Sequence, residues 1–299
     1  MERRRLGRTG MEVGVLGFGG AEVGFDATPS QTVERLLNEA LDAGLNVIDT
    51  AECYGDGETL VGTVAARRSA FYIFTKCGHA AGLPLPGADW EPASLRASIE
   101  RSLRRLRTDY VDLLQLHSCP QAVLERGEVI SVLQQARSEG KTRFIGYSGD
   151  GAAALWAVRS GHFDTLQTSV NIADQAALDQ TLPEAEARGM GVIAKRPIAN
   201  AAWRTGGRPA NPYHHTYWNR LQRLAYDFLD APAADAVGTA LRFTLTTPGV
   251  HTAIVGTTRP GRWEANARLL AAGPLAPATY AAIRARWRAT AEADWTGQV

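Results

Sequence analysis

The sequence is poor in lysine, cysteine and methionine, with three of each, and it has almost no charge imbalance. Each shortage excludes something. Cys53, Cys77 and Cys119 are too few, and odd in number, for a disulfide framework. No CxxC or Cys/His zinc spacing occurs either, so a structural metal is not expected. The opening MERRRLGRTGMEVGVLGFGG has charge but no apolar stretch long enough for a secretory signal, and no apolar run of membrane length follows it. The expected location is the cytoplasm, with no membrane partner. Basic residues number 32 and acidic residues 31, a formal net charge of +1, so no global field favours nucleic acid. Most of the basic residues are arginine, which makes Lys76, Lys141 and Lys195 conspicuous.

What is present is a chain of 299 residues, 45% hydrophobic, able to bury a large core. Short apolar or β-branched runs alternate with stretches of helical period. The strand candidates are VGVLGFG, NVIDT, FYIFTK, YVDLLQLH, TRFIGYS, FDTLQTSVN, GVIAKRP and HTAIVG. Between them lie QTVERLLNEALDA, SLRASIERSLRRLR, EVISVLQQARSEG and AALWAVRSG, many closed by a glycine where a helix would end. Alternating units of this kind predict a parallel sheet, and eight of them fit an α/β fold of the (β/α)8 TIM-barrel type. A doubly wound sheet is the runner-up, opposed by the lack of a GxGxxG after the first strand. RRRLGRTGMEVGVL, with a Thr9-Gly10 turn, predicts a β-hairpin that plugs the bottom of the barrel. TYAAIRARWRATA predicts an extra C-terminal helix. No linker or repeat divides residues 1–299, which are taken as one domain.

Barrels of this kind gather catalytic groups at the C-terminal ends of their strands. The candidate strands end on Asp49, Lys76, His117, Ser148, Gln167 with Asn171, Lys195 with Arg196, and Thr257 with Thr258. A lone serine or aspartate in such a place is commonly an ordinary strand end or helix cap. A lysine closing a buried strand is different, because it must find a partner. Asp49 is such a partner, and Tyr54 follows it by one loop. An ammonium beside Tyr54 favours the phenolate, Asp49 keeps Lys76 charged and aimed, and His117 can donate a hydrogen bond to a carbonyl oxygen. This set polarises a carbonyl without a nucleophile or metal of its own, which points to hydride delivery by a bound cofactor.

Together with LGRTGMEVGVLGFGG, GLNVIDTAECYGDGE, FTK, LLQLH, FIGYS and VGTTRPGRWEAN, these residues resemble the aldo-keto reductases nearly end to end. The resemblance implies an NADPH-dependent barrel oxidoreductase with Asp49, Tyr54, Lys76 and His117 as its catalytic tetrad. It puts Gly20, Ala21 and Asp49 near the nicotinamide, Ser148 and Gln167 at the carboxamide, and Lys195, Arg196, Pro197 and Ile198 along the cofactor. Gly256, Thr257, Thr258, Arg259, Arg262 and Asn266 fall on the segment that grips the adenosine phosphate. Two arginines and hydroxyls beside a helix start suit a 2′-phosphate, so NADPH is favoured over NADH.

The chain departs from the family at three places. Gly149 stands for the usual asparagine, Ala265 for a glutamate, and AKRPIAN has no aromatic to stack on the nicotinamide. Lys195 and Arg196 are expected either to meet the cofactor diphosphate or to pair with an acid lining the barrel. Trp90 and Trp203 lie on loops of the substrate-facing rim, alongside Tyr54 and His117. The aromatic run from Trp203 to Trp218 is either a lid or a helix end packed on the barrel, and His214-His215 lacks a third ligand. The cysteines beside the tetrad are small fillers, or thiols made oxidation-sensitive by Lys76. The expected activity is carbonyl–alcohol interconversion on an aldehyde, ketone or sugar, by a monomer or weak homo-oligomer. The alternatives are a sugar dehydrogenase running in the oxidative direction, a cofactor-binding regulatory subunit, and an isomerase that uses no nicotinamide.

Overall fold

The computed structural model describes residues 1–79 and 84–298. Two short strands, β1 (Arg3–Arg5) and β2 (Glu12–Gly14), pair antiparallel. Eight more follow: β3 (Leu16–Gly19), β4 (Val47–Asp49), β5 (Tyr72–Cys77), β6 (Val111–His117), β7 (Thr142–Ser148), β8 (Thr165–Ser169), β9 (Gly191–Lys195) and β10 (Thr252–Gly256). These eight are parallel and close on themselves, β10 lying against β3, so the expected barrel is the fold observed.

The helices in chain order are α1 (Ala21–Phe25), α2 (Ser30–Asp42), α3 (Gly57–Val61), α4 (Pro92–Leu106), α5 (Gln121–Glu125) and α6 (Glu128–Ser138). They continue with α7 (Gly151–Ser160), α8 (Thr181–Ala187), α9 (His215–Leu224), α10 (Ala233–Thr246), α11 (Arg262–Leu269) and α12 (Pro277–Thr290). Strands walled by helices on one side and by the barrel interior on the other are buried on both faces, so they read as runs rather than alternations. All of β6 is buried except His117 at its end. In α2 the buried residues are Val33, Leu36, Leu37, Ala40 and Leu41, the spacing of one helical face.

The hairpin closes the bottom. Leu6, Met11 and Val13 pack with Val47, Phe74, Leu113 and Ile193 in a cluster inside the barrel. Gly7 has a positive φ of 48°, and a Cβ there would stand 2.3 Å from the Gly191 nitrogen, so only glycine lets the turn press on β9. The expected first strand, VGVLGFG, is split between β2 and β3. The Asn46 side chain holds the break, accepting from the Gly14 amide at 2.7 Å and donating to the Glu12 carbonyl at 2.8 Å. With the bottom filled, a ligand site is left to the opposite rim.

A second apolar cluster joins α9, α10 and α12 through Tyr217, Leu221, Phe243, Ile283 and Trp287. The chain end folds back onto it. Trp295 meets Trp287 edge-on with ring centroids 5.5 Å apart, and Arg220 donates to the Thr296 carbonyl at 2.8 Å. No described helix is long and apolar enough to cross a membrane.

Candidate active site

The register of the barrel sets the polar strand ends at one level. Lys76 pairs with Gln115, His117 with Ser148, Ser148 with Gln167, and Ser169 with Lys195. Lys76 and Asp49 are both buried, and the lysine Nζ donates to Asp49 Oδ1 at 2.5 Å and to the Thr50 carbonyl at 2.8 Å. The second carboxylate oxygen accepts from Gln167 at 2.8 Å and from Gln115 at 3.3 Å, while Ser148 donates to Gln167 at 2.9 Å. Every oxygen of the buried carboxylate therefore has a donor, as a charge removed from water requires.

Tyr54 comes to this group from the loop after β4. Its ring centroid is 5.1 Å from Lys76 Nζ and 5.5 Å from the His117 ring, which stands edge-on at 82°. The loop is pinned against α1: Gly55 has φ of 49°, and a Cβ on it would lie 2.4 Å from the Gly24 carbonyl oxygen. That contact accounts for the glycine after the tyrosine.

Burial pushes the Tyr54 phenol above its ordinary value, and the Lys76 ammonium pulls the other way without overcoming it. The direction is opposite to the lowering expected from the sequence, because desolvation outweighs one nearby charge. Burial works against the Lys76 ammonium too, but the Asp49 carboxylate beside it holds its pKa above the usual lysine range. His117 sits well below the ordinary histidine value, through burial and then the charges of Lys76, Lys195 and Arg196. It is a neutral imidazole at neutral pH, a hydrogen-bond donor and not a cationic acid.

The three cysteines are buried, and desolvation raises all their thiols, Cys53 and Cys119 to about 12. Lys76 offsets only part of the burial effect at Cys53, so the shift runs opposite to the lowering that an oxidation-sensitive thiol would need. Cys53 Sγ lies 3.2 Å from His117 Nδ1.

Lys195 and Arg196 meet Asp150, at 2.8 Å and 3.7 Å. This is the acid-pairing arrangement set out above as the alternative to diphosphate contact. Arg196 also donates to Tyr213 Oη at 2.6 Å, Ser169 Oγ at 2.9 Å and the Gln298 carbonyl at 2.6 Å. The Gln298 amide in turn donates to the Tyr213 carbonyl. Pro197 is buried with its carbonyl taking the Thr244 hydroxyl at 2.9 Å, and Ile198 packs against both large apolar clusters.

At the β10 end, Gly256 and Thr257 lead into α11, where Asn266 is buried, Thr258 and Arg262 are half-buried and Arg259 is exposed. Neither arginine has an ion-pair partner among the described residues. Gly20 caps α1, its amide donating to the Asp49 carbonyl at 2.7 Å, and Ala21 begins that helix. Trp90 is half-buried, with its ring 5.7 Å from that of His79. Gly82 and Leu83, which begin its loop, lie outside the described residues. Trp203 packs on the second apolar cluster, where Tyr217 is wholly buried and donates to Asp174 at 2.9 Å.

Three site residues escaped the sequence. Gln115 sits inside an apolar strand, and its polarity there was the available signal. Asp150 and His79 gave none, because loop residues acquire a role only from what folding brings beside them.

Residues 15–288 match the family described as the aldo/keto reductase family. L-galactose dehydrogenase of Arabidopsis thaliana is 29% identical over 282 residues, covering 89% of this chain and 87% of that protein. The 6-dehydroglucose reductase of Novosphingobium aromaticivorans is 31% identical over 253 residues, 79% of this chain and 77% of its own. Among solved structures, the holo form of an aldo-keto reductase from Bacillus halodurans superposes with a TM-score of 0.84 at 25% identity, covering 99% of both chains. The chain belongs to the aldo/keto reductase family of oxidoreductases.

Proposed function

We propose that the protein is an NADPH-dependent oxidoreductase that interconverts a carbonyl and an alcohol, with Tyr54 giving the proton in reduction and taking it in oxidation. The observation that carries this reading is the buried Lys76–Asp49 pair under the Tyr54 ring, with neutral His117 edge-on beside it. Such an arrangement has one proton to give, one charge to stabilise the anion left behind, and one neutral donor for an oxygen. In reduction His117 donates a hydrogen bond to the substrate oxygen, Tyr54 Oη transfers its proton to that oxygen, and Lys76 stabilises the phenolate. Asp49, held by Gln167 and Gln115, keeps Lys76 protonated and in place.

The nicotinamide, when bound, supplies the hydride for the carbonyl carbon. Arg259 and Arg262, without ion-pair partners among the described residues and beside the start of α11, fit an anionic nucleotide phosphate and would hold the 2′-phosphate of NADPH. Gly20, Ser148 and Gln167 are the candidates for the nicotinamide end. Lys195 and Arg196 reach a diphosphate only by giving up part of their hold on Asp150. The sugar-acting names of two relatives favour a sugar or a similar polyhydroxy carbonyl as substrate.

The test is a fluorescence titration of the purified protein with NADPH and, at the same salt, with NADH. NADPH is expected to saturate at much lower concentration, and Arg259→Ala with Arg262→Ala is expected to close most of that gap while leaving NADH affinity alone. Binding of neither cofactor overturns the enzyme reading. Tight binding without turnover on a carbonyl and sugar panel favours the regulatory-subunit alternative.

A further inference from the structure

Three side chains from three different loops and strand ends converge beside the Tyr54 ring. Cys53 precedes the tyrosine, His79 follows β5 and His117 closes β6, positions too far apart in sequence for any zinc motif. Their ligand atoms all lie within 4.8 Å of one another. The Cys53 sulfur is 3.2 Å from His117 Nδ1, and the His79 ring stacks on the His117 ring with centroids 4.7 Å apart. One sulfur and two imidazoles are the donor set of a borderline-soft divalent cation, zinc above all.

We propose that Cys53, His79 and His117 form a Zn2+ site at the edge of the carbonyl pocket, with a fourth position open to water. The spacing suits the ion: two ligands at ordinary Zn–S and Zn–N lengths around a tetrahedral centre stand about 3.5 Å apart, close to the Cys53–His117 separation. His79 and His117 are each half-buried, so the site opens to solvent while Cys53 forms its floor. The carboxylates of Asp89 and Glu52 act on His79 through space and favour a positive charge there, against the charges of Lys76, Lys195 and Arg196 that bear on His117. On binding, Cys53 exchanges its S–H bond for a sulfur–zinc bond and its proton passes to solvent; no electrons move.

A metal seated there ties down the His117 ring and brings positive charge next to Tyr54. The consequence for activity rests on the function proposed above and is inhibition reversed by a chelator; the binding itself does not rest on that function. The experiment therefore reads binding first. The full chain is stripped with EDTA, dialysed and titrated with Co2+ as a spectroscopic probe, then with Zn2+. A thiolate-to-cobalt charge-transfer band that saturates at one equivalent and is displaced by Zn2+ is the expected result.

Cys53→Ser is expected to abolish the band, and His79→Ala to abolish it or shift its saturation to far higher Co2+. A wild-type protein with no band overturns the proposal. A band that survives in Cys53→Ser places the metal on Cys77 or Cys119 and overturns it equally. In wild type, Zn2+ should lower reductase turnover and EDTA restore it. A protein that binds Co2+ through Cys53 yet turns over no carbonyl keeps the metal site and refutes the enzyme reading.

Discussion

Replacing Lys76 with methionine keeps the length and apolar bulk of the side chain and removes only the charge. The Lys76 Nζ lies 5.1 Å from the centre of the Tyr54 ring. At that distance, with an effective dielectric of about 20, an ammonium stabilises a phenolate by about 3 kcal/mol. Proton transfer from Tyr54 builds that phenolate, so Lys76→Met is expected to lower kcat/KM for carbonyl reduction by roughly 10²-fold or more. The orphaned Asp49 carboxylate, still buried among Gln115 and Gln167, makes the loss larger.

Breaking a buried pair also costs about 3–5 kcal/mol of stability, so thermal unfolding and NADPH binding are measured alongside the kinetics. Adding Asp49→Asn removes the stranded charge, and the double variant should be no slower than Lys76→Met and more stable. A folded Lys76→Met protein that binds NADPH and turns over within about threefold of wild type would refute the charge argument.

Two further outcomes follow from the perturbed groups. With Tyr54 raised and His117 lowered, kcat/KM for reduction should be flat from about pH 6 to 9 and fall only as the phenol ionises above its ordinary value of ~10. Tyr54→Phe should lose roughly 10²–10⁴-fold in rate together with that alkaline limb, whereas a break near the ordinary histidine value would show His117 titrating as an acid. Glu58, wholly buried behind β5 and hydrogen-bonded by Thr75 at 2.6 Å, is pushed up by burial to about 7. The folded state then holds a proton there that the unfolded chain has released, so this contribution to stability is complete below the ordinary glutamate range and is lost as pH rises through about 7. Urea unfolding at a series of pH values should show this fall, and Glu58→Gln should flatten it; an unchanged slope in the variant would locate the proton elsewhere.

Much of the fold was legible because the barrel repeats one local rule. Each strand is buried on both faces and each helix on one, so composition alone marks them, and α2, α4, α6 and α7 lie where their apolar spacing puts them. Tyr54, Asp49, Lys76 and His117 were visible because a rim collects the polar residues that end apolar runs. Legibility failed wherever a partner came from a distant loop. The split of β2 from β3 depends on the Asn46 side chain, the pairing of Lys195 and Arg196 on Asp150, and the anchoring of Gln298 near Arg196 on the fold-back of Trp295. The balance between burial and charge at Tyr54 is likewise a sum over everything packed around it.

The sequence by itself therefore determined the order of elements, the closed barrel and the four groups on its rim, because periodicity and strand-end polarity are local properties. Only the tertiary structure decided that the phenol is raised instead of lowered, that all three cysteines are buried, and that Cys53, His79 and His117 meet. Those outcomes rest on desolvation and on distances between residues remote in the chain, which exist only once the barrel has closed.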